Sequence, residues 1–174
     1  YGIAIHPSGN YLYALVRNTN SIRAYSISEN GKLNFIDTYT TPVNSPNLAI
    51  VHPSGKYLYV SVTAENYILA YSINSNGTLE IIGDPGYVTT PANSGPEKMV
   101  IHSSGKYLYV ALSNGAGLSI LEINTNGSLT LKNTKSVGEN IFDLAVHPNG
   151  NYIYASSYSS SNIYKYDLAV SWKT

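Results

Sequence analysis

His52-Pro53-Ser54-Gly55-Lys56-Tyr57-Leu58-Tyr59 decides the fold, because the chain repeats it. The phrase also stands at His6-Pro7-Ser8-Gly9-Asn10-Tyr11-Leu12-Tyr13. It returns as His102-Ser103-Ser104-Gly105-Lys106-Tyr107-Leu108-Tyr109 and as His147-Pro148-Asn149-Gly150-Asn151-Tyr152-Ile153-Tyr154. The histidines are 46, 50 and 45 residues apart. A period of that length, with only β-type residues between turns, is the mark of propeller blades.

Working outward from His52, each blade reads as four strands. Leu48-Ala49-Ile50-Val51 is a short apolar run suited to an innermost strand covered on both faces. Proline, serine and glycine then turn the chain, by a preset φ, a bond back to the backbone and tolerance of positive φ. Lys56 to Val62 is rich in aromatic and β-branched residues, as a second strand requires. A loose connection, 63–66, leads to a third strand over Ile68–Ile73. Asn76-Gly77 forms the hairpin into a fourth over Thr78–Ile82, and 89–96 carries the chain onward. Asn30-Gly31 and Asn126-Gly127 repeat that hairpin. The reading is therefore all-β, a β-propeller of four-stranded antiparallel blades. About four blades are present, approximately 1–40, 47–90, 97–137 and 142–174. The last lacks an evident outer strand, since 169–174, with Trp172, is short and poor in turn residues. Strand-like residues begin at Gly2, so the sequence reads as a segment of a longer ring.

Side chains alternate along a strand, so each Tyr-x-Tyr pair puts two rings on one face of its blade. Repetition in every blade makes them interface packing with hydroxyls at the polar rim, in preference to a carbohydrate platform. The four histidines sit at one turn per blade, and ring symmetry spreads them apart. They are expected to brace turns, not to converge on a metal. Gly115-Ala116-Gly117 lacks the third glycine and the helix of a phosphate loop and reads as a turn. There is no Gly-x-Ser-x-Gly nucleophile turn and no calcium loop. Asn76-Gly77-Thr78 and Asn126-Gly127-Ser128 fit the glycosylation pattern, but Asn-Gly in register with the repeat is turn chemistry first.

Composition narrows the function classes. Formal net charge is zero and only 11% of residues are charged, which leaves no cationic surface to displace counterions from nucleic acid. No long apolar run or basic amphipathic stretch marks insertion into a membrane. Without cysteine there are no disulfides or thiolate metal ligands, and no cofactor is implied. A surface of Ser, Thr, Asn and Tyr leans towards a secreted or cell-surface protein.

The His-Pro-Ser-Gly turn, the Lys-Tyr-Leu-Tyr-Val strand and the later Asn-Gly-x-Leu together resemble the seven-bladed lactonase family. That family includes the propeller-type phosphogluconolactonases and carboxymuconate cyclases, and it is close to the Tyr-Val-Thr-Asn surface-layer propellers. The resemblance runs over the whole chain and implies about four blades of a seven-bladed ring. It also implies a site built from a Gly-Pro-Arg-His run before an inner strand and a Val-Asn-Glu run after the second. An arginine would polarise the lactone carbonyl, and His or Glu would activate water. Here Gly95-Pro96 is kept, but Glu97 and Lys98 stand where the family has Arg and His, and Ala111-Leu112-Ser113 replaces the second run. The corresponding positions elsewhere are Tyr1-Gly2 with Arg17, Asn47-Leu48 with Thr63, and Phe142-Asp143 with Tyr158. Glu97 and Lys98 are thus the catalytic candidates, as base and cation or as a salt-bridged loop pair; Arg17 and Asp143 are the ligand-facing candidates.

Two functions follow. The first is a binding or structural scaffold taking a small-molecule, protein or carbohydrate ligand at its rim. The alternative is a lactone hydrolase whose catalytic blades are missing or altered here. Isolated from its ring, the segment is expected to show no lactonase activity. Open apolar end faces are expected to be covered by further blades, by a second copy, or by tight four-blade closure, in that order.

Overall fold

The structure, a computed structural model, describes residues 2–168. These form four antiparallel sheets. Blade 1 comprises β1 (Ile3–Ile5), β2 (Tyr11–Val16), β3 (Ser21–Ile27) and β4 (Leu33–Thr40). Blade 2 comprises β5 (Leu48–Val51), β6 (Tyr57–Val62), β7 (Tyr67–Ile73), β8 (Leu79–Ile81) and β9 (Tyr87–Thr89). Blade 3 is built from β10 (Pro96–Ile101), β11 (Tyr107–Leu112), β12 (Gly117–Ile123) and β13 (Leu129–Lys135). Blade 4 is built from β14 (Ile141–Val146), β15 (Tyr152–Ser157) and β16 (Ile163–Asp167). The only helical segments among the described residues are two 3-10 turns, Arg17–Thr19 and Thr63–Glu65. No helix there is long and apolar enough to cross a membrane. The question of an outer strand for blade 4, with Trp172, lies outside the described residues.

Two expectations need correcting. The outer strand of blade 2 does not run through 78–82. It breaks into β8 and β9, both paired with β7, because Gly83, Pro85 and Gly86 interrupt the ladder. The 63–66 connection is not loose: Thr63–Glu65 is a 3-10 turn closed by Asn66 in the left-handed region. Asn66 Oδ1 accepts the Gly95 amide at 3.0 Å and so ties blade 2 to the start of blade 3. Asn20 does the same for the Ser45 amide at 2.9 Å.

Three apolar clusters lie between successive blades. One face of blade 1 (Tyr13, Leu15, Ile22) meets Leu58, Val60 and Leu69 of blade 2. Tyr59, Ile68 and Ala70 meet Met99, Val110 and Leu121 of blade 3; Tyr109, Leu118 and Ile120 meet Leu144, Ile153 and Ala155 of blade 4. The core is thus a stack of sheets, each buried only by its neighbours.

The repeated phrase is a set of clasps across these interfaces. His6 Nδ1 accepts the Ser8 amide at 3.1 Å, which leaves Nε2 to carry the proton and donate to the Gly55 carbonyl of the next blade at 2.9 Å. His52 bonds Gly105 at 2.8 Å and His102 bonds Gly150 at 2.9 Å in the same way. Tyr11 and Tyr57 donate to the Ser75 and Thr125 carbonyls, at 2.7 and 2.8 Å. Tyr13 and Tyr59 donate to Gly77 and Gly127, each at 3.1 Å. Both the turn-bracing role of the histidines and the interface role of the tyrosine pairs are visible in these bonds.

Candidate functional site

The inner strands of the blades begin side by side, and their first residues enclose a cleft of about 360 Å³. Gly2, Asn47, Leu48, Glu97, Lys98, Phe142 and Asp143 line it. All sit four or five residues before a repeat histidine, so equivalent positions of successive blades form two rows along one wall.

Local backbone irregularity aims these side chains. In blade 3 the ladder pairs Pro96 with Leu112 and Met99 with Val110, so Glu97 and Lys98 together oppose Ala111. In blade 4 Phe142 is the extra residue between Ile141 and Asp143. Such bulges release side chains from the ladder's alternation and are common beside active sites. The preceding blade holds the bulge in place. Ser61, fully buried, donates to the Glu97 carbonyl at 3.1 Å, and Thr63 donates to Pro96 at 2.8 Å.

Glu97 and Lys98 are not a salt-bridged pair. Glu97 Oε2 accepts Asn47 Nδ2 at 2.6 Å, across the boundary between blades 2 and 3. Lys98 Nζ lies 3.7 Å from Asp143 Oδ1, across the next boundary, with both side chains partly exposed. That is a loose pair that leaves the ammonium donors free for a ligand oxygen. Glu97 Oε1 receives no hydrogen bond from the described residues. The arrangement is therefore one oriented carboxylate, one ammonium held by a second carboxylate, and an aromatic wall at Phe142.

Arg17 lies outside the cleft lining; it opens the 3-10 turn after β2. Asp143 lies within the lining. The two positions at which the resemblance implies Arg and His line the cleft, with Glu97 and Lys98 in them. Asn47 and Phe142 gain importance that composition alone did not give them; their signal was the fixed offset from the repeat histidine. Glu139, just before β14, is engaged elsewhere. The Ser160 hydroxyl bonds its carboxylate, and this bond, with those from Ser157 and Tyr164, holds the group below its ordinary carboxylate range.

The family model described as Lactonase, 7-bladed beta-propeller, matches residues 2–93, 44–135 and 89–172. Successive matches advance by about one blade, as equivalent blades require. Among solved structures, a "putative 6-phosphogluconolactonase" from Bacteroides uniformis superposes with a TM-score of 0.87. It is 22% identical over 96% of this chain and 50% of that one. A second protein of the same description, from Bacteroides fragilis, gives 0.83 at 23% identity, with the same coverages. A periplasmic gluconolactonase of Pseudomonas aeruginosa gives 0.82 at 16% identity, over 98% of this chain and 54% of that one. No curated protein sequence matches. At these identities the likeness is one of fold, and the chain spans about half the length of each structure. The chain belongs to the family of seven-bladed β-propeller lactonases.

Proposed function

We propose that these blades supply one wall of a lactone-hydrolysing channel, and that the cleft at the inner-strand starts is where the lactone ring binds. The observation carrying this reading is the convergence of Glu97, Lys98 and Asp143 in that cleft, in a chain of this family. It favours hydrolysis over a purely structural scaffold, because a scaffold gives no reason to bulge a carboxylate and an ammonium into one channel.

Glu97, oriented by Asn47, takes a proton from water through Oε1 as the hydroxide oxygen attacks the carbonyl carbon. Lys98 Nζ, held by Asp143, donates to the oxygen that becomes negative. Collapse breaks the ring C–O bond, and the departing alkoxide recovers the proton from Glu97, leaving the open hydroxy acid. Water must be excluded from the rest of the channel, which requires the remainder of the ring.

The test is hydrolysis of glucono-δ-lactone by the assembled ring containing these blades. Glu97→Gln is expected to lower kcat by about 100-fold or more and Lys98→Met by about 10-fold or more. Lys106→Ala, outside the cleft, should leave it unchanged. A folded ring without turnover would return the molecule to the scaffold reading.

A further inference from the structure

Five Asn-Gly pairs stand in the chain, at 30–31, 76–77, 114–115, 126–127 and 149–150, and the asparagine of each is exposed. Such a pair is chemically labile, because glycine has no Cβ to shield its amide nitrogen from the carboxamide before it. The fold treats the five unequally. In four of them both reacting groups are tied. The amides of Gly31, Gly77, Gly127 and Gly150 donate to the carbonyls of Ser28, Asn74, Asn124 and His147, at 2.8, 2.9, 2.9 and 2.8 Å. The matching asparagine oxygens accept the amide two residues on. Asn30 accepts from Lys32 at 3.2 Å, Asn76 from Thr78 and Asn126 from Ser128 each at 3.1 Å, and Asn149 from Asn151 at 2.9 Å. These bonds fix the side chain within its turn and commit the glycine hydrogen to a carbonyl.

Asn114-Gly115 has neither bond. It lies in the turn from β11 to β12, where the Gly115 amide and the Asn114 carboxamide make no hydrogen bond among the described residues. The anchoring of this turn is on the other side of Asn114. Ser113 N and Oγ donate to the Gly95 carbonyl at 2.9 and 3.0 Å, and the Asn114 amide donates to the Ser94 carbonyl at 3.1 Å. Space around the glycine is open: a Cβ there would find only Asn140 Oδ1 within 4 Å, at 3.9 Å.

We propose that Asn114 is a self-modification site of this protein, losing its side-chain amide to water well ahead of the other four. The Gly115 nitrogen gives its proton to base and bonds to Asn114 Cγ; the Cγ–Nδ2 bond breaks, and the nitrogen takes up a proton and leaves as ammonia. Water then opens the cyclic imide at either carbonyl, giving aspartate or isoaspartate. The net change consumes a water and releases an ammonia, with no oxidation or reduction. Both products add a negative charge. Isoaspartate also adds a main-chain carbon beside the bonds that hold Ser94 and Gly95, on the approach to Glu97. The inference rests on the turn geometry and is independent of the lactone reading.

Peptide mapping by mass spectrometry tests it, on the assembled ring containing these blades, stored in mildly alkaline buffer. Asn114 should convert at least about tenfold faster than Asn30, Asn76, Asn126 or Asn149, since each of those must first break two hydrogen bonds. Asn114→Gln should abolish the fast phase of ammonia release and leave the other four rates unchanged. In guanidinium, where the turns are gone, the five rates should converge. Any of the other four keeping pace with Asn114 in the folded ring, or an undiminished preference for Asn114 in guanidinium, would overturn the proposal.

Discussion

A single histidine shows how much of this protein is written residue by residue. His52 braces its own turn through Nδ1 and reaches the next blade through Nε2. His52→Ala should cost about 1–2 kcal/mol in urea unfolding, since it also strands the Gly105 carbonyl. His147→Ala, whose Nε2 meets no following blade among the described residues, should cost about 0.5 kcal/mol or less. The tyrosines divide similarly. Tyr59 donates to Gly127, so Tyr59→Phe should destabilise by about 1 kcal/mol. Tyr71 has a buried hydroxyl without a partner among the described residues, so Tyr71→Phe should be neutral or stabilising. The histidine and tyrosine roles were legible in the sequence, because repetition at one position per blade signals architecture. Glu97's real partner was not legible. Asn47 lies 50 residues away, and only blade packing brings the two side chains together.

Strands and turns follow from local chemistry where the chain is regular and depart from it where the ladder slips. The inner, second and third strands were readable from β-branched and aromatic runs. The bulges in β10 and β14 were not, because a bulge is a mismatch between two strands and neither carries it alone. The split of the blade 2 outer strand has its signal in the Gly-Asp-Pro-Gly stretch, which reads as a turn but not as a resumption of the same strand. Gly117 opens β12 at a φ of 83°, and a Cβ there would overlap the Lys135 carbonyl oxygen. Gly117→Ala should therefore cost about 3 kcal/mol or more, by thermal unfolding. Gly9→Ala has the same backbone sign but open space, and should cost about 1 kcal/mol. The sheets also set the response to alkali. Burial pushes the Tyr71, Tyr109 and Tyr166 hydroxyls up to about 12, and Tyr13 and Tyr59 higher still. Between the unfolded value near 10 and these folded values, the folded state holds more protons than the unfolded one. Stability should thus be level below about pH 10 and fall as pH rises towards 12, measured as the urea midpoint against pH.

At the scale of the molecule, the four blades of the described residues stack face to face, with the inner-strand cleft on one side and exposed apolar side chains such as Ile3, Phe35 and Ile163 on the first and last blades. The number of blades and their order came directly from the repeat. The cleft was legible only as a set of equivalent positions, because Glu97 and Lys98 stand where the resemblance implies Arg and His. The channel claim is tested most directly by the crystal structure of the assembled ring with gluconolactam, a hydrolysis-resistant analogue of the lactone. The account predicts the analogue in the cleft, its carbonyl oxygen on Lys98 Nζ and a water between Glu97 Oε1 and the carbonyl carbon. An analogue seated elsewhere on the ring, or a cleft left without it at saturating concentration, would contradict the account.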